Sequence, residues 1–505
     1  MGERTLLGPG RSLIRFGYGL FTFVFAAITF GVTIVNVEYR YHVWLLLPGA
    51  ALYLLAAAAL WRLLDAREMS LTRLYRVLLP LVLLGMGTLQ LLLGSFLRFS
   101  PIFDLEALFQ GAIEWTETGT FADYTHYYYI FPNNLGGMAL LRLVFGAARL
   151  LGTSDYFWAA TVCNSLMTLA AIAVSSLLCR RLFGPKGGIF CLVLFATSPP
   201  FYLMAPVFYT DSLTLLFPVL IVYLYCCLLD RKSPAGRVAF AALIGMAAAI
   251  GMLIKFTVVI ALIAVLLHSL LTRRLRETLW LGGTAACIIA LSFFLFNSMI
   301  YGRHLDSETA KSENTPYSHW MMMGLRGDGS YHNDDFLYTR SFEDPDERRE
   351  AVAAEIRNRL KENGIMGGMA LAARKSLRCF GDSTLALSDF LDDRPESLGS
   401  LHEWVLYAGQ QYIWYQTLCG IPFCSMLLLL VFSGVQALRS KATDGFFVPQ
   451  LALLGLLAFL LLWETSGRYI LNFTPLMVVC AAEGMPLLAD CVTAAGRKQK
   501  RVSCR

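Results

Sequence analysis

The sequence predicts an all-α protein that crosses a lipid bilayer about twelve times. Two observations carry this. Of 505 residues, 56 % are hydrophobic and only 15 % charged, with a mean hydropathy of +0.56, whereas soluble domains hold about 25 % charged residues. Apolar runs of about 18 residues or more recur from end to end, each long enough to cross a ~30 Å hydrocarbon core as a helix. These features exclude a soluble enzyme. The runs are continuous and do not alternate, which excludes an outer-membrane barrel.

Twelve runs read as spanning helices: 13–35, 43–63, 76–97, 156–179, 187–204, 211–229, 237–252, 254–271, 279–300, 412–437, 446–463 and 468–490. A further apolar run, 134–151, contains Arg142 and Arg149 and reads as an amphipathic helix. The distribution of basic residues decides whether it crosses. If it does not, the short loops with Arg62/Arg67/Arg73/Arg76, Arg180/Arg181/Lys186, Arg231/Lys232/Arg237, Arg273/Arg274/Arg276 and Arg439/Lys441 share one side with both basic termini. If it crosses, every basic loop after residue 155 moves to the far side. The run is therefore expected to lie along the interface, with both termini cytoplasmic. Arg4, Arg11 and Arg15 flank a first helix that is retained, because no small-residue cleavage site follows a short apolar core.

This topology divides the chain into N-terminal spans (1–97), a first external loop with interfacial helices (98–155), a central transmembrane module (156–300), a second external, charged loop (301–411), and C-terminal spans with a basic tail (412–505). Residues 301–400 hold 18 acidic and 13 basic residues, too many for a membrane segment. Most of the 12 cysteines lie inside apolar runs, as small hydrophobes. No CxxC pair occurs, so neither a disulfide framework nor a zinc site is expected. No basic patch interleaves with aromatics, so no nucleic-acid partner is expected.

The residues able to do chemistry sit at the external ends of the spans. Asp104 lies just beyond the third run, where a carboxylate can act as a general base; the alternative is a helix N-cap. Glu106 follows, and then His126-Tyr127-Tyr128-Tyr129, read as an interfacial aromatic belt or a sugar-stacking surface. Asp211 opens the sixth run, either as an N-cap or as a functional charge at the membrane edge. Lys255 interrupts two apolar runs, snorkelling to headgroups or binding a phosphate. Glu464, Arg468 and Tyr469 fall within six residues between two spans; Arg468 suits bidentate phosphate binding, and an i,i+4 pair with Glu464 is the alternative. In the second loop, His319 and His332 near Asp334/Asp335 match no defined metal spacing.

These pieces, in this order, resemble the GT-C glycosyltransferases, integral-membrane enzymes that use polyprenyl- or dolichyl-phosphate-linked sugars and include the protein O-mannosyltransferases and the lipid A aminoarabinose transferases. The resemblance covers roughly 95–300 and 460–480. It rests on Asp104, on the run Asp155, Asn164, Arg180-Arg181-Leu-Phe-Gly, Ser198-Pro199 and Asp211, and less specifically on Lys255 and Arg468-Tyr469. Where the family often has an adjacent Asp-Glu pair, Leu105 separates Asp104 from Glu106. The resemblance implies transfer of a sugar from a polyprenyl-phosphate-linked donor to an acceptor hydroxyl on a glycan, lipid or protein, with inversion, on the external face of a bacterial plasma membrane. Asp104 and Asp211 would be catalytic. Lys255, Arg468 and Tyr469 would bind the donor phosphate, with Glu106, His126, Tyr127, His319 and Glu464 near acceptor or sugar. No cofactor is named; a divalent metal at Asp211 is left open. The competing reading is a transporter or flippase of a lipid-linked saccharide.

Overall fold

The computed structural model describes residues 8–35, 41–65, 68–392, 394–440 and 447–503. Arg4, Arg67 and Lys441, three of the flanking basic residues invoked above, lie outside them. Each of the twelve apolar runs is helical. Among the described residues nine helices are long and apolar enough to cross a membrane, and Phe256–Thr272 and Val448–Leu462 are shorter apolar helices. The helix Tyr156–Ala196 breaks at Gly184 (φ 74°) before Pro185 and so supplies two of the expected runs. The chain is thus an all-α polytopic membrane protein. Helices Tyr412–Arg439 and Thr474–Ser503 pack in the middle of the bundle, whereas Leu275–Tyr301 leaves most of its apolar surface exposed, as a lipid-facing helix does.

Two of the runs that depart from regular helix do so at the same end of the bundle. Helix 156–196 stops before Ser198-Pro199-Pro200, since a proline and the residue before it resist helical continuation; only the turn Pro200–Leu203 follows. The last run opens as a 3₁₀ segment, Gly467–Phe473, before the α-helix begins at Thr474. Irregular backbone at this depth is tolerated where protein buries it or a cavity needs it.

The loop 98–155 folds into helices Phe103–Thr118 and Leu135–Leu150, packed on each other. At 16 residues the second helix is about 24 Å long, too short for a ~30 Å core. Its first turn explains the Gly136-Gly137 pair. A Cβ at Gly136 would lie 1.9 Å from the Leu253 carbonyl oxygen, so only glycine lets this helix dock on the end of helix Pro234–Ile254, beside Lys255. The second long loop, 301–411, centres on Pro345–Gly381, two helices joined at Gly364 (φ 54°). It grips the segment before the last span: Thr465 N–H donates to Gly329 O at 2.7 Å, Trp320 stacks on Trp463, and Gly324 approaches so closely that a Cβ would sit 2.5 Å from Trp463 O.

Candidate functional site

Asp104 is the second residue of helix Phe103–Thr118. Its carboxylate caps nothing: the cap position is Ile102, and no side chain bonds the first turn. Instead Tyr127 Oη donates to Oδ1 at 2.7 Å and Tyr209 Oη to Oδ2 at 2.9 Å. Asn134 Nδ2 donates in turn to Tyr127 Oη at 2.5 Å. Burial, and then the Asp104 charge, push both phenols well above the usual tyrosine range, which keeps them protonated and donating. Each carboxylate oxygen accepts one such bond and retains lone-pair capacity for another donor.

Asp211, in the turn Thr210–Leu213, is 2 % exposed and also caps nothing. Lys255 Nζ lies 2.6 Å from its Oδ1, and Arg468 Nε 3.9 Å from its Oδ2. The lysine therefore does not snorkel. Burial, with Arg468 beside it, lowers the Lys255 pKa, and Asp211 opposes this. Tyr469 faces both cations, with Lys255 Nζ at 5.0 Å and Arg468 Cζ at 5.3 Å from its ring centroid, and its hydroxyl donates to Glu464 Oε1 at 2.6 Å. Glu464 is thus held by tyrosine and not by the i,i+4 arginine; burial raises its pKa, and Tyr469 and Arg468 oppose this. Asn472 Nδ2 reaches Thr214 and Thr257, both at 3.3 Å, and ties the 3₁₀ segment to the two helix starts.

Tyr209 joins the two halves. Its hydroxyl holds Asp104, and its ring centroid lies 4.9 Å from the Arg468 guanidinium. Phe390, from the second loop, packs on Tyr209 and faces Arg468 at 6.0 Å. Tyr331, also from the second loop, lies within electrostatic reach of Glu464 and Asp104. Among the described residues the non-glycine positive φ values are those of Phe103 (50°), Leu385 (59°) and Ala386 (59°). The first adjoins Asp104; the other two lie on the turn that carries Phe390. Such strain persists where surrounding structure over-determines it, often at functional sites.

Asp104, Tyr127, Asp211, Lys255, Glu464, Arg468 and Tyr469 thus converge from five separate stretches of chain. The other sequence candidates lie apart. Glu106 is exposed and lines a different cavity of about 390 Å³ with Arg98, Asp155 and Glu396. His126 is exposed and faces Glu313. His319 is buried inside the second loop, with Nδ1 2.7 Å from Thr339 Oγ1, and burial pushes its pKa down to about 4. Tyr209, Asn134 and Phe390 are not among the sequence candidates; Tyr209 adjoins the Asp211 motif, Asn472 follows the Glu464–Tyr469 cluster, and Asn134 and Phe390 carry no local signal. Among the described residues no three His, Cys, Asp or Glu side chains converge to hold a metal ion. Asp211 faces two cations, which would repel a divalent ion.

A family model described as a conserved hypothetical integral membrane protein matches residues 22–486, so the chain belongs to that family. No curated protein matches the sequence. Among solved structures, the chain is similar to ArnT from Cupriavidus metallidurans bound to undecaprenyl phosphate, at 13 % identity and a TM-score of 0.37, covering 81 % of this chain and 77 % of that one. It is also similar to the archaeal oligosaccharyltransferase AglB from Archaeoglobus fulgidus in complex with an inhibitory peptide and a dolichol-phosphate, at 12 % identity and a TM-score of 0.34, covering 84 % of this chain and about half (52 %) of that one. At these values the likeness carries nothing about reaction or ligand.

Proposed function

We propose that this member of the conserved hypothetical integral membrane protein family is a glycosyltransferase of the GT-C type. It takes a sugar from a polyprenyl-phosphate-linked donor and passes it to an acceptor hydroxyl at the external face of the membrane. One observation carries the reading: a carboxylate with open lone pairs and a paired Lys–Arg cation site share a single tyrosine, Tyr209.

The charges suit the reaction. The donor is a phosphodiester with one negative charge. When the anomeric C–O bond breaks, the electron pair leaves with the phosphate and a second charge develops there. Lys255 and Arg468, with Asp211 between them, form a cluster of net +1 in a buried site, where such charge is best stabilised. Asp211 holds the two cations together against their repulsion. Asp104 takes the proton as the acceptor oxygen bonds to the anomeric carbon. A single displacement inverts that carbon. The donor's chain would lie in the lipid beside the span ends, which accounts for a phosphate site at the membrane edge.

The test is donor binding by full-length protein in detergent. Arg468→Gln and Lys255→Gln should each lose a charge-assisted contact of about 1.5–3 kcal/mol, roughly ten- to a hundredfold in Kd, with helix content unchanged. Wild-type affinity in both folded variants would remove the phosphate assignment.

A further inference from the structure

The helices that place Asp211 and Lys255 at one end of the bundle build a second charged pocket at the other. Helix Leu216–Leu229 starts near Asp211 and ends at a turn carrying Arg231; helix Pro234–Ile254 carries Arg237 and ends at Lys255; helix Val259–Thr272 ends at Arg273. At 1.5 Å per residue, the intervening 14 to 21 residues put the two sites roughly 20–30 Å apart. Arg231, Arg237 and Arg273 line one cavity of about 120 Å³, with Glu277 and Trp280 on its wall and buried Ser269 on its floor.

Three guanidiniums meet one carboxylate here. Glu277 pairs with Arg237 at 3.3 Å. Arg231 and Arg273 form no ion pair among the described residues. Arg231 stacks on Phe240 at 4.7 Å and Arg237 lies 5.9 Å from the Trp280 ring centroid; stacking holds the planar fork ready for a bidentate oxyanion. Val238, Leu275 and Leu279, beside these residues in sequence, leave their side chains exposed, which offers an apolar surface for acyl chains. Basic residues at span ends are ordinary topology signals, but they need not converge: Arg274 and Arg276 are exposed and line no part of this cavity.

We propose that this pocket binds a phosphate oxyanion, carried by the headgroup of an anionic membrane lipid or by a soluble phosphate compound, independently of the outer site. The test is native mass spectrometry of delipidated full-length protein titrated with phosphatidylglycerol, phosphatidylcholine or inorganic phosphate. Wild-type protein should retain phosphatidylglycerol over phosphatidylcholine. The double variant Arg231→Gln/Arg273→Gln should lose roughly thirtyfold in phosphatidylglycerol retention, at about a kilocalorie's worth per arginine. The double variant Arg274→Gln/Arg276→Gln removes the same charge outside the cavity and should behave as wild type. Arg231→Lys/Arg273→Lys, which keeps the charge, guards against misfolding and should recover part of the retention. Displacement of the lipid by inorganic phosphate would assign the pocket to soluble phosphates; failure to displace would assign it to the lipid. Equal loss in the two Gln pairs, or none in either, would overturn the proposal.

Discussion

The loop 301–411 and the mouth of the site both bury charge, and they do so in opposite ways. In the loop, Asp335 takes three hydrogen bonds of 2.7–3.0 Å from Arg326 and Arg359. Buried Arg348 makes five hydrogen bonds to backbone carbonyls, and Lys375 donates to the carbonyls of Gly324, Leu461 and Trp463 at 2.6–3.0 Å. All five guanidinium donors and all three ammonium protons are accounted for. At the mouth, the buried Arg468 Nε has no hydrogen-bond acceptor among the described residues and stands 3.9 Å from Asp211, and each Asp104 oxygen carries one phenol bond. A buried charge with every donor and lone pair matched has a structural role; one left short has capacity for a ligand. Satisfaction, rather than charge, separates the loop from the site.

The largest effect should come from breaking the matched set. Asp335→Ala removes two hydrogen bonds from Arg359 and one from Arg326, which keep Glu355 and Asp334 beside them, and should cost the loop about 3 kcal/mol, read as lost hydrogen-exchange protection in 333–381. Burial raises the Asp335 pKa, but Arg359 and Arg326 outweigh it and hold the group below the usual carboxylate range. Its contribution is therefore present above that range and lost as pH falls through the lowered value. Protection unchanged by the substitution would show that matched charges there do not hold the loop.

A smaller effect separates the two halves of the mouth. Tyr209→Phe keeps the ring beside Arg468 and deletes the bond to Asp104. A bond to a charged group contributes about 1.5–3 kcal/mol, so turnover should fall at least tenfold with donor affinity unchanged. A parallel loss of affinity would put the phenol on the phosphate instead.

The smallest is a pH effect. Lys255 has a lowered pKa, from burial and from Arg468, with Asp211 opposing. It is charged below that value, so donor affinity should decline as pH rises through it. Lys255→Arg stays charged and should abolish the decline. A decline that survives the substitution belongs to another group.

Much of this site was legible because ionisable residues at the ends of apolar runs are costly and rare. That rule alone picks out Asp104, Asp211, Lys255, Glu464 and Arg468. It does not say who pairs with whom: from sequence the cations have no acidic partner beyond Glu464, whereas in the fold Asp211 is the partner and Glu464 belongs to Tyr469. Neutral residues such as Tyr209, Asn134 and Phe390 had no such signal, since an aromatic or amide near a membrane edge is common. His319 stands out in sequence with His332 and Asp334/Asp335 as a weak metal grouping, whereas in the fold it packs in the loop's own core against Trp320 and Phe336. The twelve helices followed from apolar length, but the 3₁₀ start at Gly467 depends on the second loop's grip on Thr465, a contact across more than a hundred residues.

The central claim is that Asp104 is the base beside a phosphate site. Asp104→Asn tests it most directly, with donor binding and turnover measured on the same folded preparation. Asparagine keeps the shape and one acceptor oxygen but cannot take the proton. The account predicts turnover lower by about 10²–10⁴-fold with donor affinity retained. Wild-type turnover in the Asn variant would contradict it.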